Sequence, residues 1–420
     1  MSEHHDGFST RAVHSGSRPG RAQGATTTPI YASAGFAYDT AAELEDVFAG
    51  HKPGHIYSRI SNPTVAAYEE RLAAIERGRG AIATGSGMAA LATIIMTLTR
   101  AGDRIVSNAS LFGGTHRLFT ALMSRYEVEV VYIDLDEPGA LQDALTDRTR
   151  FVYLETIGNP KLDVPDITAT ARAAHEVGAP LVVDSTLTTP FLLDAHALEA
   201  DLVVHSTTKF ISGHGNSIGG ALVDLGRFDW NTLTDPDMRN AVSTVGRELA
   251  FLYLARQLVV QSLGNLASPF EAYLQSQGIE TLALRMERHC SNALALARAL
   301  EAHPAVEMVN YPGLPSSPWH QIASRQFSGG YGALFTLRLG SRERAFAFIN
   351  ALRIPKQLAN LGDCKTLVIH PESTIYHDHP DEVRAAAGVH PDMVRVSTGI
   401  ETEDDLLEDC TQALSSVDSR

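Results

Sequence analysis

The residues best equipped for chemistry lie in residues 201–220, DLVVHSTTKFISGHGNSIGG, where an apolar run leads into hydroxyls, one lysine and a glycine-rich loop. Leu202, Val203 and Val204 suit a short strand buried on both faces. Ser206, Thr207 and Thr208 surround Lys209 with hydroxyls in place of the carboxylates that usually accompany a surface lysine. An amine so placed sits at the carboxyl end of a buried strand, where open α/β sheets keep their ligands. A lone lysine after a strand is ordinarily a solvated cation, so the case for chemistry rests on what other segments bring to it.

Three other segments carry groups of the right kind. Leu181, Val182 and Val183 run into Asp184, Ser185 and Thr186, which puts a carboxylate at the mouth of a second apolar strand; a helix cap accounts for that aspartate equally well. Residues 81–84 read as a strand, Gly85-Ser86-Gly87 as a tight turn and residues 88–98 as an alanine-rich helix. Free N–H groups and the partial positive charge at such a helix start suit a phosphate, although neither GxxxxGK[ST] nor a full GxGxxG is present. In HIYSRISNPT, Tyr57 and Arg59 stand two apart. An extended backbone would point both the same way, able to hold an anion; a solvated loop containing an arginine is the plainer reading. A lysine, an aspartate, a phosphate cradle and aromatic residues in one α/β crevice match the needs of pyridoxal 5′-phosphate (PLP). The lysine forms the Schiff base, the aspartate keeps the pyridine nitrogen protonated, and an aromatic side chain stacks on the ring.

These groups need a scaffold, and the apolar pattern supplies one. Strands are expected at 104–107, 128–133, 151–155, 181–184 and 202–205, with helical stretches between most of them. That alternation predicts a mainly parallel sheet covered on both faces. A helix after Pro63 and Thr64 carries Val65, Tyr68, Leu72 and Ile75 at helical spacing and stops near Gly78 and Gly80. Three regions follow: residues 1–60, rich in Gly, Thr, Pro and His, as an extended arm lying on a neighbouring subunit; 61–260 as the large domain; and 261–420 as a smaller α+β domain. The last should hold helices at 281–300 and 344–352, a strand at 332–337 and strands near Leu367 and Val394.

Composition narrows the function. With 420 residues, 44% hydrophobic and 20% charged, the chain is globular in make-up, and a net charge of −15 argues against a broad nucleic-acid or acidic-membrane surface. Three cysteines, Cys290, Cys364 and Cys410, lie far apart without CxxC spacing, which favours a reducing, cytoplasmic setting over a disulfide framework or a zinc site. The N-terminus has no apolar signal core, and no apolar run approaches the roughly 20 residues of a membrane span. Of the 17 histidines, His370, His377 and His379 lie close together and read as a solvated loop, so no metal is assigned.

From STRAVHSG to VRVSTGIE, and above all in HSTTKFISGHG, the chain resembles the Cys/Met-metabolism family of PLP enzymes, which includes cystathionine synthases and lyases, methionine γ-lyase and O-acetylhomoserine sulfhydrylase. The resemblance implies the aspartate-aminotransferase-like architecture (fold type I), with Lys209 as the Schiff-base lysine and proton shuttle and Asp184 as the pyridine partner. It implies phosphate contacts from Gly87, Met88, Ser206 and Thr208, and from Tyr57 and Arg59 of a neighbouring subunit, in a homotetramer built as a dimer of dimers. Arg395, in MVRVS, falls where the family binds the substrate α-carboxylate. Strand alternation independently puts Arg395 and Ser397 on one face and the two valines on the other. Glu155 and Asn159, in ETIGNP, match the family's ETPxNP block near the cofactor.

Within the family, LANLGDCKTLVIHPEST resembles the sulfhydrylase form LANVGDAKTLVIHPAST, the lyases having serine where Asn360 stands. SPFEAYLQSQGIETLALRMERH also looks like the sulfhydrylases. Gly114, in LFGGT, occupies the place of the characteristic cysteine of methionine γ-lyase. Phe112 replaces the usual tyrosine, keeping ring stacking but losing a hydroxyl that could protonate a leaving group; acetate, a weak base, leaves without that help. Tyr57 of the neighbour is an alternative acid. The segment after Phe228-Asp229-Trp230 is short, and Glu372, Ile375 and Tyr376 depart from the usual HPASTTH; both segments should border the site entrance. The resulting expectation is γ-replacement on O-acetyl-L-homoserine by sulfide or a small thiol. Cystathionine or methionine γ-lyase, cystathionine γ-synthase, and replacement by a non-sulfur nucleophile in secondary metabolism are the alternatives.

Overall fold

The computed structural model describes residues 7–17, 24–135 and 137–417. The chain forms two compact units interleaved in sequence. The first comprises the described residues up to Thr99 with Asp201–Thr208 and Asn216–Glu280; the second comprises Arg100–Ala200, Lys209–Gly215 and the chain from Thr281 onward.

In the first unit, strands β1 (Gly80–Thr84), β6 (Leu202–His205) and β7 (Gly220–Asp224) lie in the order β1-β7-β6, with β7 antiparallel to both neighbours. All of β6 and β7 is buried, as unbroken apolar runs require. β7 grows out of the stretch read as a glycine-rich loop. Its first residue must be small, since a Cβ on Gly220 would lie 2.1 Å from the Ser86 carbonyl oxygen. The helix Pro63–Ile75 starts where Asn62 accepts from Thr64 N. The helix Gly87–Leu98 starts at Ser86, whose Oγ accepts from Ala89 N. Both are N-caps that satisfy a donor left free by the first turn.

The N-terminal region is more structured than its composition suggests. It holds the helices Phe8–His14 and Ala41–Phe48. The second begins at Thr40, whose hydroxyl accepts from Glu43 N, so the T-x-x-E pattern was a usable start signal. The first packs on its own chain: the buried Arg71 donates to Ser15 O at 2.9 Å and also to Ser276 O and Glu280, both at 2.9 Å.

In the second unit β2 (Arg104–Asn108), β3 (Glu129–Ile133), β4 (Thr149–Glu155) and β5 (Leu181–Asp184) pair in parallel in the order β5-β4-β2-β3. These strands match the apolar runs to within two residues at each end. A separate sheet has the order β10-β11-β12-β9-β8, formed by β8 (Met308–Asn310), β9 (Leu334–Arg338), β10 (Lys356–Gln357), β11 (Leu367–Ile369) and β12 (Met393–Ser397). Against it pack the helices Leu282–Glu301, Arg342–Ala351 and Glu403–Val417, sharing a core with Phe335, Leu337, Phe348, Val394 and Val396. The fold is α/β, with a mainly parallel sheet and a smaller antiparallel α+β portion toward the C-terminus. Among the described residues no helix is long and apolar enough to cross a membrane.

Candidate active site

In the second unit the lysine has a built seat. Lys209 O accepts from Gly213 N at 2.7 Å, closing a turn. The buried Arg285 holds that turn by donating to Phe210 O at 2.6 Å and Ile211 O at 3.3 Å. Gly362 lies against it: a Cβ there would be 2.7 Å from Phe210 N and 3.0 Å from Lys209 Cβ, and the φ of +77° already favours glycine. Lys209 Nζ donates to Asn360 Oδ1 at 2.5 Å. Burial, and after it the positive charge of Arg395, brings the amine down to about 8, since a desolvated ammonium beside a like charge is disfavoured.

Arg395 is fully enclosed and reaches two asparagines. Nη1 donates to Asn159 Oδ1 at 2.9 Å and Nη2 to Asn360 O at 3.1 Å. Burial draws its guanidinium down to about 10. The alternation expected for β12 holds. Ser397, on the face of Arg395, accepts from Gly362 N at 3.0 Å, while Val394 and Val396 enter the core on the other side.

Asp184 ends β5 in register with Glu155 on β4. Its carboxylate accepts from Tyr153 Oη at 3.1 Å and Thr186 N at 2.9 Å. The cap alternative falls, because the next helix, Thr189–Leu192, begins five residues on with no side-chain cap. Glu155 accepts from Phe112 N at 2.7 Å. Burial first, and then the charge of Asp184, hold its carboxyl well above the usual range. Phe112 is 42% exposed, and its ring lies across Gly114, where a Cβ would stand 2.5 Å from Phe112 Cε1.

The first unit holds the remaining predicted groups. A Cβ on Gly87 would lie 2.8 Å from Ser206 Cβ, so the helix start and the end of β6 share one cradle that only glycine permits. Met88 follows in the first helical turn. Thr208 Oγ1 donates to Gly219 O at 3.1 Å and accepts from Gly219 N at 2.9 Å. Gln275 supports the cradle: its Oε1 accepts from Tyr68 and Thr207, both at 2.7 Å, and its Nε2 donates to Ser217 Oγ at 2.8 Å. Tyr57 and Arg59 do meet, with the guanidinium 5.5 Å from the ring centroid. They do so through a turn closed by Ile60 N to Tyr57 O, and not along an extended strand. Arg59 also donates to Gln261 O.

The solvated histidine loop is a correction. His370 and His379 are buried and only His377 is open to solvent, because His370 is held at both ring nitrogens by Ser373 Oγ and Pro391 O. Among the described residues no group of three or more metal-ligating side chains occurs. Arg285, Gly362 and Gln275 were missed as site-building residues. RMERH and LGD were visible in the sequence, but nothing local tells a buried arginine's carbonyl partners.

The donor set fits PLP in each unit. One carries a glycine-bounded helix N-terminus next to strand-end hydroxyls, the other a seated amine with depressed basicity and a fixed carboxylate at a strand mouth. Fold and site together define a PLP-dependent enzyme of fold type I. The family described as Cys/Met metabolism PLP-dependent enzyme matches residues 9–415, and the chain belongs to it. It is 41% identical to the homocysteine synthase of Schizosaccharomyces pombe, covering 98% of each chain. It is 42% identical to O-acetyl-L-homoserine sulfhydrylase 1 of Thermus thermophilus, over 97% of this chain and all of that one (100%). A Campylobacter jejuni protein described as an O-acetylhomoserine (thiol)-lyase, solved with pyridoxyl-lysine monophosphate, is 30% identical and superposes with a TM-score of 0.89 over 97% of this chain and 100% of that one.

Proposed function

We propose that the protein catalyses γ-replacement on O-acetyl-L-homoserine, with sulfide or a small thiol displacing acetate to give homocysteine or an analogue. The observation that carries this reading is the pairing of Phe112 with Gly114. The position over the ring has no hydroxyl to protonate a leaving group, which suits one that departs as a weak base. Relatives named as homocysteine synthase and O-acetylhomoserine sulfhydrylase support it.

In this reading Lys209 holds PLP, Asp184 faces the pyridine nitrogen, Phe112 stacks on the ring, and the Gly87 and Met88 N–H groups with Ser206 and Thr208 take the phosphate. PLP, when bound, supplies the electron sink that makes the α-proton acidic. Arg395, steadied by Asn159, binds the α-carboxylate. The Lys209 amine takes the proton from Cα; a proton lost from Cβ lets acetate leave Cγ, where the thiol then adds. Asn360 holds the Lys209 amine between transfers, and Glu155 fixes the Phe112 backbone. Tyr57 and Arg59 come from a neighbouring subunit in a homotetramer, and three cysteines without disulfides accord with the cytoplasm.

The deciding assay offers O-acetylhomoserine, O-succinylhomoserine, cystathionine and methionine to the holoenzyme, each with and without sulfide. Homocysteine from the acetyl ester with sulfide is expected. Inertness of that ester with every thiol sinks the proposal, and ketobutyrate release without thiol as the main activity favours the γ-lyase alternative.

A further inference from the structure

The segment HPESTIYHDH, which departs from HPASTTH, holds a residue to which the catalytic scheme gives no part. Tyr376 is 1% exposed. It packs with Ile375, Ala387 and Val389, and its ring lies 4.9 Å from that of His379. Its hydroxyl has two carbonyl acceptors, Leu111 O at 2.8 Å and Asn159 O at 3.1 Å. Both belong to the pocket's working parts. Leu111 precedes Phe112, whose N–H is fixed on Glu155. Asn159 presents its side-chain oxygen to Arg395 Nη1. One phenolic oxygen therefore fastens the ring-stacking loop and the arginine's anchor to the same point, from residues 265 and 217 positions away in sequence.

We propose that Tyr376 is a positioning residue for carboxylate recognition: its shared hydrogen bond holds the Asn159 backbone so that the Asn159 side chain aims Arg395 at the α-carboxylate of the amino-acid substrate. The inference rests on Arg395 being the carboxylate-binding residue of the proposed function. An ordinary core hydroxyl would have satisfied one neighbour and left the pocket indifferent to its loss. This one lies two hydrogen bonds from the guanidinium, and an arginine aimed askew loses the fork geometry that binds a carboxylate at both oxygens.

The test uses the holoenzyme and a non-reacting pair of probes, L-norleucine and L-norleucinamide, with binding read from the cofactor's absorbance. Tyr376→Phe should weaken norleucine by about tenfold, the scale of one hydrogen bond to a charged group, and leave the amide, which has no carboxylate, within about twofold. Equal weakening of both probes, or of neither, overturns the proposal. Tyr376→His keeps a donor and is the residue of HPASTTH; it should retain norleucine binding within about twofold, and it carries the test should the phenylalanine variant not fold, a tenfold loss there overturning the idea. Arg395→Leu is the separate control. If it binds norleucine as tightly as the parent, the arginine's own role is wrong, whatever Tyr376 does.

Discussion

The depressed basicity of Lys209 gives a prediction whose size follows from its surroundings. In the apoprotein the amine sits near 8 against an ordinary 10.5, with burial the larger cause and Arg395 the second. At about 1.4 kcal/mol per tenfold, the environment disfavours the ammonium by about 3 kcal/mol. At pH 7 the neutral amine is then about 10% of the population, against about 0.03% for an exposed lysine, a gain of about 300-fold in the form that reacts with an aldehyde. Acetic anhydride labelling of the apoprotein at graded pH, read by mass spectrometry at the Lys209 peptide, should rise with a midpoint near 8. Arg395→Gln removes a like charge and should move the midpoint upward, by less than the remaining burial effect. Asn360→Ala removes an acceptor that favours the ammonium and should move it downward. A parent midpoint at 10 or above, or a downward shift in Arg395→Gln, would refute the electrostatic account.

Two further outcomes concern stability. Asp224 is lifted to about 7, chiefly by burial, against hydrogen bonds from Gly226 N at 2.8 Å and Trp230 Nε1 at 3.0 Å. The native state then holds this proton more tightly than the unfolded chain, so its contribution is present at low pH and is lost as pH rises from about 4 through 7. Asp224→Asn keeps an acceptor but no charge. Urea unfolding at pH 5 and pH 8 should show the parent losing up to about 2.5 kcal/mol more than the variant, and parallel losses would rule out Asp224 as the titrating group. Gln275→Leu strips partners from Tyr68, Thr207 and Ser217 at once. It should cost about 2–4 kcal/mol and lower the urea midpoint, while an unchanged midpoint would mean the three hydroxyls re-pair.

By itself the sequence determined the strands of the parallel sheet to within two residues, because strands buried on both faces, such as β4 and β5, read as apolar runs. It also singled out Lys209 and Asp184 as candidates, since Asp184 follows such a run directly and Lys209 comes a few polar residues after another, toward the carboxyl edge where open α/β sheets keep their ligands. The Gly-Ser-Gly helix start was equally legible. Tertiary structure alone decided the pairings. Lys209 meets Asn360 across 151 residues, and Arg395 meets Asn159 across 236. β7 forms within a glycine-rich stretch because β1 and β6 flank it, and Tyr376 is buried although His377 and Asp378 directly after it are open to solvent. Periodicity records which face of an element leaves water. Which donor satisfies which buried acceptor is set by distances between elements, and those distances exist only after the chain has packed.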